Sequence, residues 1–342
     1  MRVATTVALA LLPFVSLCWP RAAASTPHAV ERTVYLMGTR ARLVLLARDR
    51  AAGLRRLEAM VESLEQTEAD LSTWRTDSAL SALNRQPVDE PLQLPAPVCA
   101  LWGELTAWHR ATNGAFDPAL GALSSAWGLR ETGRRPSPGR LAAARAVTGL
   151  THFRFEASTC RVTRLAEVTL DAGAFGKGEA LRRLHRQSAG GEPWMVDLGG
   201  QIVVSGVPRG GTWPVAIAHP ARRDETTIEI TLDSGSLATS GASERSYEIE
   251  GRMVAHILDP RTGQPLYRPE SVTVWHADAL IADILSTALY VLGPEAGLRY
   301  ADEHELAALF LAPAGRGARA SVTLLASPAF RQRFPASARH GH

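Results

Sequence analysis

The chain has 342 residues, 46% of them hydrophobic and 21% charged, which is the composition of a folded globular protein. The formal net charge is only +3, and no Arg-rich run is interleaved with aromatic residues, so these features argue against nucleic-acid binding. Of the 37 basic residues, all but Lys177 are Arg. A chain that uses Arg almost everywhere makes this one Lys informative.

Residues 1–25 have the pattern typical of a secretory signal peptide: one Arg, then the apolar run Val3–Leu17, then the small residues Ala22–Ser25. The apolar run is too short to span a membrane comfortably. We expect cleavage near Ala24 and export of the mature protein. A lipid anchor at Cys18 is the second interpretation, because a large residue precedes this Cys where such sites need a small one. An uncleaved apolar start is the third.

We expect residues 26–327 to form one domain and residues 328–342 to be a loose basic tail. Two Cys residues, Cys99 and Cys160, lie after the signal peptide. An oxidising compartment permits a disulfide between them, but the sequence does not show that they meet. Their spacing fits no metal site.

The first half of the domain is predicted to be mainly helical. A strand over Val34–Leu46 has a Met-Gly-Thr corner at its entry, and the helix Ala51–Thr67 follows with its apolar residues on one face. A second helix covers Val98–Thr112. The segment Thr132–Arg140 is rich in Gly, Pro and Arg and is predicted to be a surface loop. Another helical piece begins over Leu141–Ala146.

The second half is predicted to be rich in strands. The predicted strands are Arg161–Leu170, Trp194–Val204, Trp213–Ala218, Thr226–Leu232, Tyr247–Leu258 and Val272–His276. Two helices interrupt them, Gly178–Gln187 and Ala279–Leu292. Because strands and helices do not alternate in a regular βαβ rhythm, the pattern favours an α+β fold over a doubly wound sheet.

The stretch DAGAFGKGEA surrounds the single lysine. A predicted strand ends at Leu170, and a Gly-rich turn then opens a helix. Such a turn presents backbone N–H groups and a helix N-terminus to an anion, and Lys177 adds a positive charge there. The spacing of the glycines and the Gly after the Lys do not fit a P-loop. We expect a phosphate site, with a plain helix entry and a solvated Lys as the alternative.

The predicted helix Ala279–Leu292 is apolar enough to be buried, yet it carries Asp283 and Thr287 at positions i and i+4, on one face. An unpaired buried carboxylate is costly. A hard cation such as Mg²⁺ is one solution. The alternative is that the carboxylate accepts ordinary hydrogen bonds and the Thr bonds to its own helix, and this pattern alone leaves both open.

A single His lies close to a turn. His256 is on a predicted strand, three residues before Asp259–Gly263, whose sequence Asp-Pro-Arg-Thr-Gly is typical of a β-turn. A lone His on a strand is more often structural than catalytic. Upstream, Thr239, Ser240 and Gly241 are predicted to form a tight polar corner that lines a ligand or makes a plain turn.

The order of these motifs along the chain resembles that of one family. The series is Met-Gly-Thr, an aromatic residue before DSALSALN, GAFDP, the Gly-Lys turn, DLGG, ATSG, HILDPRTG and ADILSTA, between Val34 and Gly293. It resembles the ApbE family of FAD:protein FMN transferases. The resemblance implies an α+β, two-lobed fold with antiparallel or mixed sheets flanked by helices and a cofactor site between the lobes.

The resemblance also implies an activity and a location. Members of the family are secreted or periplasmic Mg²⁺-dependent enzymes that cleave FAD, attach FMN through a phosphoester to a Thr of an acceptor protein, and release AMP. The acceptor is typically a subunit of a membrane redox complex or a periplasmic flavoprotein. A periplasmic enzyme that uses FAD as substrate is therefore expected.

Twelve residues receive expected roles by match to the family motifs. Those expected to bind FAD are Met37, Trp74, Ala115, Phe116, Asp117, Asp171, Lys177 and Ile257. Those expected to hold Mg²⁺ are Asp283, Thr287 and the backbone carbonyl of Ala174. His256 is expected to lie nearest the chemistry. The chain departs from the family at Trp74, where Tyr is usual, and at Ala255, which replaces the first His of a common pair.

Two other functions are compatible with the same motifs. A FAD pyrophosphatase would use water in place of the Thr hydroxyl, and the sequence does not separate it from a transferase because the nucleophile comes from outside the chain. A non-catalytic periplasmic FAD-binding protein is the third interpretation, and the complete set of expected metal ligands argues against it.

Overall fold

The computed structural model describes residues 28–188, 191–243, 246–314 and 321–335. The predicted signal peptide and Cys18 lie outside these residues. Within the described ranges, no helix combines the length and the apolar character needed to cross a membrane.

The secondary structure is mixed. The helices of the described ranges are α1 (Arg50–Leu71), α2 (Ala79–Arg85), α3 (Ala96–Ala111), α4 (Gly121–Ala126), α5 (Pro138–Ala146), α6 (Gly176–Ser188), α7 (Ala279–Leu292), α8 (Pro294–Glu303) and α9 (Pro328–Arg333). The strands are β1 (His28–Leu36), β2 (Thr39–Ala47), β3 (Pro91–Gln93), β4 (Phe153–Glu156), β5 (Arg161–Arg164), β6 (Trp194–Leu198), β7 (Gln201–Ser205), β8 (Trp213–Ala218), β9 (Thr226–Leu232), β10 (Gly235–Gly241), β11 (Ser246–Ile249), β12 (Arg252–Ala255), β13 (Leu258–Asp259), β14 (Gln264–Pro265), β15 (Ser271–His276), β16 (Ala307–Ala314) and β17 (Ser321–Ala326).

One sheet of eight strands organises the fold, in the order β1-β2-β6-β7-β10-β15-β16-β17, and its described strand pairs are all antiparallel. Helices α1, α6 and α7 cover one face, and the β8–β9 hairpin with α9 covers the other. Both faces are therefore buried, and alternate residues of a strand point to different clusters. On β2, for example, Leu43 and Leu45 pack towards the helices and Val44 packs towards the hairpin. The α+β prediction is confirmed.

Helix α7 spans Ala279–Leu292, as predicted, and is the most apolar of the helices that cover the sheet. It begins at the N-cap Asp278, whose carboxylate accepts the N–H of Leu280 at 2.9 Å, and it ends before Gly293, which has a φ of 83°. Both are standard helix-end signals. Asp283 is buried. It lies on a stripe of α7, together with Thr287 and Val291, that lines a cleft.

Thr239, Ser240 and Gly241 form the end of β10, an inner strand of the large sheet, and not the predicted corner. Thr239 and Ser240 nevertheless line a cleft, as the ligand-lining alternative expects. The hydroxyl groups of this segment are satisfied inside the protein. Thr239 Oγ1 lies 2.8 Å from Thr273 Oγ1, and Ser240 Oγ lies 2.9 Å from Ser286 Oγ. Small side chains here let α7 pack directly on the strand, which a corner would not require.

Three single strands predicted from the sequence, Val34–Leu46, Trp194–Val204 and Tyr247–Leu258, are hairpins in the structure. Each hairpin turns over two residues that both have positive φ, the geometry of a type I′ turn. The turn pairs are Met37–Gly38 (51° and 71°), Gly199–Gly200 (62° and 95°) and Glu250–Gly251 (52° and 73°). A fourth predicted strand, Arg161–Leu170, stops at Arg164, because the chain loops back to supply the Val168 carbonyl to the buried guanidinium at 2.9 Å.

The predicted loop Thr132–Arg140 ends earlier than expected. Helix α5 begins at Pro138, and the side chain of Ser137 accepts the N–H of Arg140 at 3.3 Å. A Ser N-cap followed by Pro is a recognised start of a helix. The Pro and Gly content of the segment, taken alone, favours a loop across this boundary.

The tail after residue 327 is not loose over its first part. Helix α9 covers Pro328–Arg333, and Ser327 caps it by accepting the N–H of Phe330 at 3.1 Å. The rings of Phe330 and Phe334 are buried under the large sheet. Apolar burial therefore outweighs the basic character of this segment. Residues 336–342 lie outside the described ranges.

A second, three-stranded sheet of order β3-β5-β4 packs with α2 and α3. Cys99 of α3 and Cys160, just before β5, form a disulfide with a Cα–Cα distance of 5.6 Å. The bond closes a loop across 61 residues and ties α3 to the hairpin of this sheet. The pairing that the sequence left open is thus present.

Candidate active site

The described residues surround a cleft of about 750 Å³. It lies where three hydrophobic clusters meet: the cluster of α1, α6 and β1–β2, that of α2, α3 and α7, and that of α4, α5 and β11–β12. Eleven of the twelve residues singled out from the sequence line it: Met37, Trp74, Ala115, Asp117, Asp171, Ala174, Lys177, His256, Ile257, Asp283 and Thr287. These residues come from segments far apart in the chain, so the fold brings them together.

The twelfth residue, Phe116, lies behind the wall of the cleft and is fully buried. Its N–H donates to Thr112 Oγ1 at 3.1 Å, and its carbonyl lies 3.0 Å from His109 Nδ1. The side chain therefore belongs to the core. Its place in the structure supports the neighbouring Ala115 and Asp117, which do reach the cleft.

The Gly-rich turn enters the cleft between β5 and α6. Asp171 caps the turn, because its Oδ1 accepts the N–H of Gly173 at 2.9 Å. Helix α6 then starts at Gly176, and the half-buried Lys177 is its second residue and lines the cleft. A helix N-terminus with a Lys in its first turn is a favourable place for an anion.

Gly178 is the point where α6 crosses α7. Its N–H donates to Asp283 Oδ2 at 2.8 Å. A Cβ at this position would lie 2.6 Å from Asp283 Cβ and 2.7 Å from the carbonyl oxygen of Ala279. Only a residue without a side chain allows this approach, so the second Gly of the Gly-Lys-Gly motif has a packing reason.

Replacing Gly178 with Ala should lower the free energy of unfolding by about 1–3 kcal/mol, because the new methyl group overpacks the helix crossing. Gly103→Ala is the matched control. Gly103 lies on the exposed side of α3, where an added Cβ would meet no other atom within 4 Å, so its replacement should stabilise the protein by about 0.5–1 kcal/mol. Urea denaturation of both variants measures the difference, and equal effects would contradict the crossing argument.

Three oxygen donors at the cleft fit a magnesium ion, two of them on α7. Asp283 and Thr287 lie one turn apart and both line the cleft, as does Ala174 in the turn before α6. All the donors are oxygen, the ligand type that Mg²⁺ prefers, and one protein carboxylate is typical when substrate phosphates complete the shell. The hydroxyl of Thr287 lies 3.5 Å from Ser240 Oγ, and Ser286 Oγ donates to the carbonyl of Asp283 at 3.0 Å. The Asp283 carboxylate is oriented by a different bond, since its Oδ2 accepts the N–H of Gly178 at 2.8 Å.

His256 lies between β12 and β13 and lines the same cleft. The backbone on both sides is held by hydrogen bonds to one residue: Ala255 N–H donates to the Leu266 carbonyl at 3.1 Å, and Leu266 N–H donates to the Ile257 carbonyl at 2.9 Å. These bonds hold the backbone on both sides of His256.

The turn after His256 is closed by backbone and side-chain hydrogen bonds. Gly263 N–H donates to the Asp259 carbonyl at 2.8 Å, and Arg261 forms two side-chain bonds to the Asp259 carboxylate, at 2.9 Å and 3.0 Å. Burial of Asp259 favours its neutral form, but the hydrogen bonds from Arg261 prevail and hold the pKa of this carboxyl below its usual range. The Asp-Pro-Arg-Thr-Gly turn therefore acts as a support for the segment that carries His256.

Asp117 borders the cleft, yet its oxygens point into the protein. Oδ1 accepts the N–H of Ala119 at 2.8 Å, and Oδ2 accepts that of Leu150 at 3.2 Å and lies 3.3 Å from His109 Nδ1. Burial raises the pKa of this carboxyl, and the N–H donors and His109 oppose that rise. These contacts indicate that Asp117 shapes the wall, and its expected role toward FAD stays a prediction.

Sequence reasoning missed Arg130, which lines the same cleft. Its Nη2 donates to Asp171 Oδ2 at 2.9 Å and to Thr73 Oγ1 at 2.9 Å, and its guanidinium lies 5.1 Å from the centre of the Trp74 ring. Arg130 falls in a segment with several other Arg residues, and no motif sets it apart. Only the fold reveals its position.

Comparison with known proteins agrees with this fold. The profile of the ApbE family matches residues 37–310, and the chain belongs to this family. The match spans every one of the residues singled out above.

Named relatives and solved structures cover most of the chain. A Vibrio cholerae protein named FAD:protein FMN transferase is 31% identical over 285 residues, or 80% of this chain and 85% of that protein. A Klebsiella pneumoniae protein of the same name is 31% identical over 91% of both chains. The crystal structure of the apo form of Pseudomonas stutzeri flavinyl transferase ApbE is 30% identical, covers 90% of this chain and 98% of that chain, and has a TM-score of 0.79.

Proposed function

We propose that the chain is a Mg²⁺-dependent FAD:protein FMN transferase, which breaks the pyrophosphate bond of FAD, attaches FMN to a Thr hydroxyl of an acceptor protein and releases AMP. The observation that carries this proposal is the convergence of Lys177, the Asp283–Thr287 pair and His256 on one cleft, in a member of the ApbE family. The activity named for the relatives needs these three elements: an anion site, a metal site and a group that handles a proton.

The residues of the cleft have separate roles in this proposal. Lys177 and the N-terminus of α6 bind the anionic pyrophosphate. Asp283, Thr287 and the Ala174 carbonyl would hold Mg²⁺, which when bound supplies positive charge that stabilises the departing AMP. Trp74, largely exposed at the mouth of the cleft, offers an aromatic face on which a planar ring stacks.

His256 is the residue that we assign to the proton of the acceptor hydroxyl. An imidazole is the usual general base near neutral pH, and it must come within hydrogen-bonding reach of the group it deprotonates. As the Thr oxygen attacks the FMN-side phosphorus, His256 accepts the hydroxyl proton, and the bond from phosphorus to the AMP oxygen breaks. The products are the FMN phosphoester and AMP.

Lys177→Ala should weaken FAD binding by about ten- to a hundred-fold, because a charge-assisted hydrogen bond is lost. Lys177→Arg should not restore the full affinity, since a guanidinium is larger and has a fixed planar geometry. Titration of flavin fluorescence measures both dissociation constants. Unchanged affinity in Lys177→Ala would show that this residue does not contribute to FAD binding.

The function itself is tested by incubating the protein with FAD, Mg²⁺ and a candidate acceptor. A transferase releases AMP in proportion to the FMN mass gained by the acceptor, mole for mole. A pyrophosphatase releases AMP equally fast without acceptor, and a FAD-binding protein without catalytic activity releases none. Either of the last two results would overturn the proposal.

We also propose that the enzyme works in the periplasm and that its acceptor is a subunit of a membrane redox complex or a periplasmic flavoprotein. Two observations support export: the signal-peptide pattern of residues 1–25 and the disulfide between Cys99 and Cys160, since disulfides persist in oxidising compartments.

The exported protein is expected to begin near Ser25 with a free amine, because the small residues before this position suit signal peptidase cleavage. The intact mass of the protein purified from whole cells, membranes included, measures the mature N-terminus. A diacylglycerol on Cys18 would favour the lipid-anchor interpretation, and a mass that retains Met1 would exclude both forms of processing.

A further inference from the structure

Arg130 joins three separate segments of the cleft. Its Nη2 bridges Thr73 Oγ1 and Asp171 Oδ2, both at 2.9 Å, and its guanidinium covers the ring of Trp74 with 5.1 Å between Cζ and the ring centre. Thr73 and Trp74 follow α1, Arg130 follows α4, and Asp171 precedes α6. One side chain therefore holds the entrance of the cleft together.

The backbone that carries Arg130 is itself anchored. Trp127 Nε1 donates to the carbonyl of Gly263 at 2.9 Å, and the hydroxyl of Tyr247 donates to the carbonyl of Leu129, the residue next to Arg130. The Arg130 and Asp171 side chains are only about a third exposed, at 30% and 28%. A partly shielded ion pair on an anchored backbone is stronger than a fully exposed one.

Trp74 is the side chain whose conformation is most restricted by these contacts. Its residue is 69% exposed, and an exposed indole on a loop would otherwise sample several rotamers. The Arg130 guanidinium packs on the ring as a cation–π pair and leaves most of the indole accessible on the cleft. Fixing a side chain before the ligand arrives removes part of the entropic cost of binding.

The charge of Arg130 also matters for an anionic ligand. Asp171 adjoins the turn that leads to Lys177, and its carboxylate would repel a phosphate brought to that helix end. The ion pair with Arg130 neutralises this carboxylate, while Oδ1 of Asp171 remains on the Gly173 N–H. The same Arg thus prepares the aromatic surface and removes an unfavourable charge.

We propose that Arg130 is a positioning residue that holds Trp74 as a preformed stacking surface for the planar ring of the dinucleotide substrate. The identity of the substrate rests on the proposed function. Arg130 touches neither the proposed metal ligands nor His256 in any contact described above, so its effect falls on substrate affinity and not on the chemical step.

The variant Arg130→Met removes the guanidinium and keeps much of the length of the side chain. We expect the Kd for FAD, measured by flavin fluorescence on the full-length mature protein, to rise about tenfold. At saturating FAD, kcat for AMP release with acceptor should stay within about twofold, because no transition-state contact is lost. Arg130→Lys keeps a charge but no planar face, and should remain at least about threefold weaker than the wild type.

A double-mutant cycle tests whether Arg130 acts through Trp74. Trp74→Ala should weaken FAD binding by itself. Adding Arg130→Met to it should change Kd by no more than about threefold, because the coupling through Trp74 is already lost and only the unpaired charge of Asp171 remains to repel the anion. The control is Arg135→Met: Arg135 makes an exposed pair with Glu250 outside the lining of the cleft, and its loss should leave Kd unchanged.

The outcomes separate this inference from the proposed function. Unchanged Kd in Arg130→Met, full rescue by Arg130→Lys, or fully additive effects with Trp74→Ala would overturn the positioning role while leaving the transferase intact. FAD binding that depends on Arg130 without any transfer would overturn only the transferase. A wild-type protein that binds no FAD would overturn both.

Discussion

Asp283→Asn should reduce Mg²⁺-dependent FMN transfer by at least about 10²–10³-fold, the cost of losing one strong electrostatic contact to the developing charge. Asn keeps the size of the side chain and an oxygen that accepts the Gly178 N–H, now 2.8 Å from Asp283 Oδ2. It removes the negative charge that attracts the cation. We therefore expect the helix crossing to survive and the response to Mg²⁺ to be lost. AMP release measured across a Mg²⁺ titration tests this.

Asp278→Asn provides the matched control on the same helix. Asp278 caps α7 by accepting the Leu280 N–H at 2.9 Å, and Asn performs this role about equally well. Its carboxylate lies 3.9 Å from Arg182 and 3.7 Å from Arg186 and does not line the cleft. Transfer by this variant should keep its Mg²⁺ dependence. If Asp283→Asn retains the Mg²⁺ response of the wild type, Asp283 is not a metal ligand.

Helix α7 shows what a sequence can specify locally. Its apolar run is bounded by an Asp N-cap and a Gly at the C-terminal end, so both ends are visible without tertiary information. The structure places the helix at Ala279–Leu292, the same bounds as the prediction. Asp283 and Thr287 consequently share a face, as their spacing requires.

The hairpins show what the sequence does not specify locally. Type I′ turns are announced most clearly by Asn-Gly or Asp-Gly, whereas the turns here are Met37–Gly38, Gly199–Gly200 and Glu250–Gly251. Apolar residues on both sides made each pair of strands look continuous. Strand β10 was missed for a different reason. Its small polar residues favour turns in isolation, whereas in the structure they lie against α7, where Ser240 Oγ is 2.9 Å from Ser286 Oγ.

The site was accessible to sequence reasoning where residues lie in ordered motifs. Eleven of the twelve residues expected from the motifs line one cleft, although most of these motifs taken singly are ordinary turns or strands. Arg130 carries no such signal, because its importance comes from contacts with Trp74 and Asp171, which are far from it in the chain. These long-range contacts of Arg130 depend on the packing of α4 against the β11–β12 hairpin. The hydrophobic periodicity of the sequence does not reveal that packing.

His256→Ala should reduce FMN transfer by about 10²–10⁴-fold, the usual contribution of a group that moves a proton in the transition state. FAD binding should change little, because the anion site at Lys177 and the stacking surface at Trp74 lie on other segments. The loss should therefore appear in kcat at saturating FAD, with Kd for FAD within a few-fold of the wild type. Stopped assays of acceptor mass give kcat, and flavin fluorescence gives Kd.

The control for this variant is His304→Ala. His304 is exposed at the end of α8, where its ring stacks on Tyr300 with the ring centres 4.0 Å apart, outside the lining of the cleft. Both replacements remove one imidazole from the same protein, but only His256 lies in the cleft. Transfer should be normal in His304→Ala. A His256→Ala protein that binds FAD and transfers FMN at the wild-type rate would show that the acceptor hydroxyl loses its proton to another group or to water, and the role assigned to His256 would have to be withdrawn.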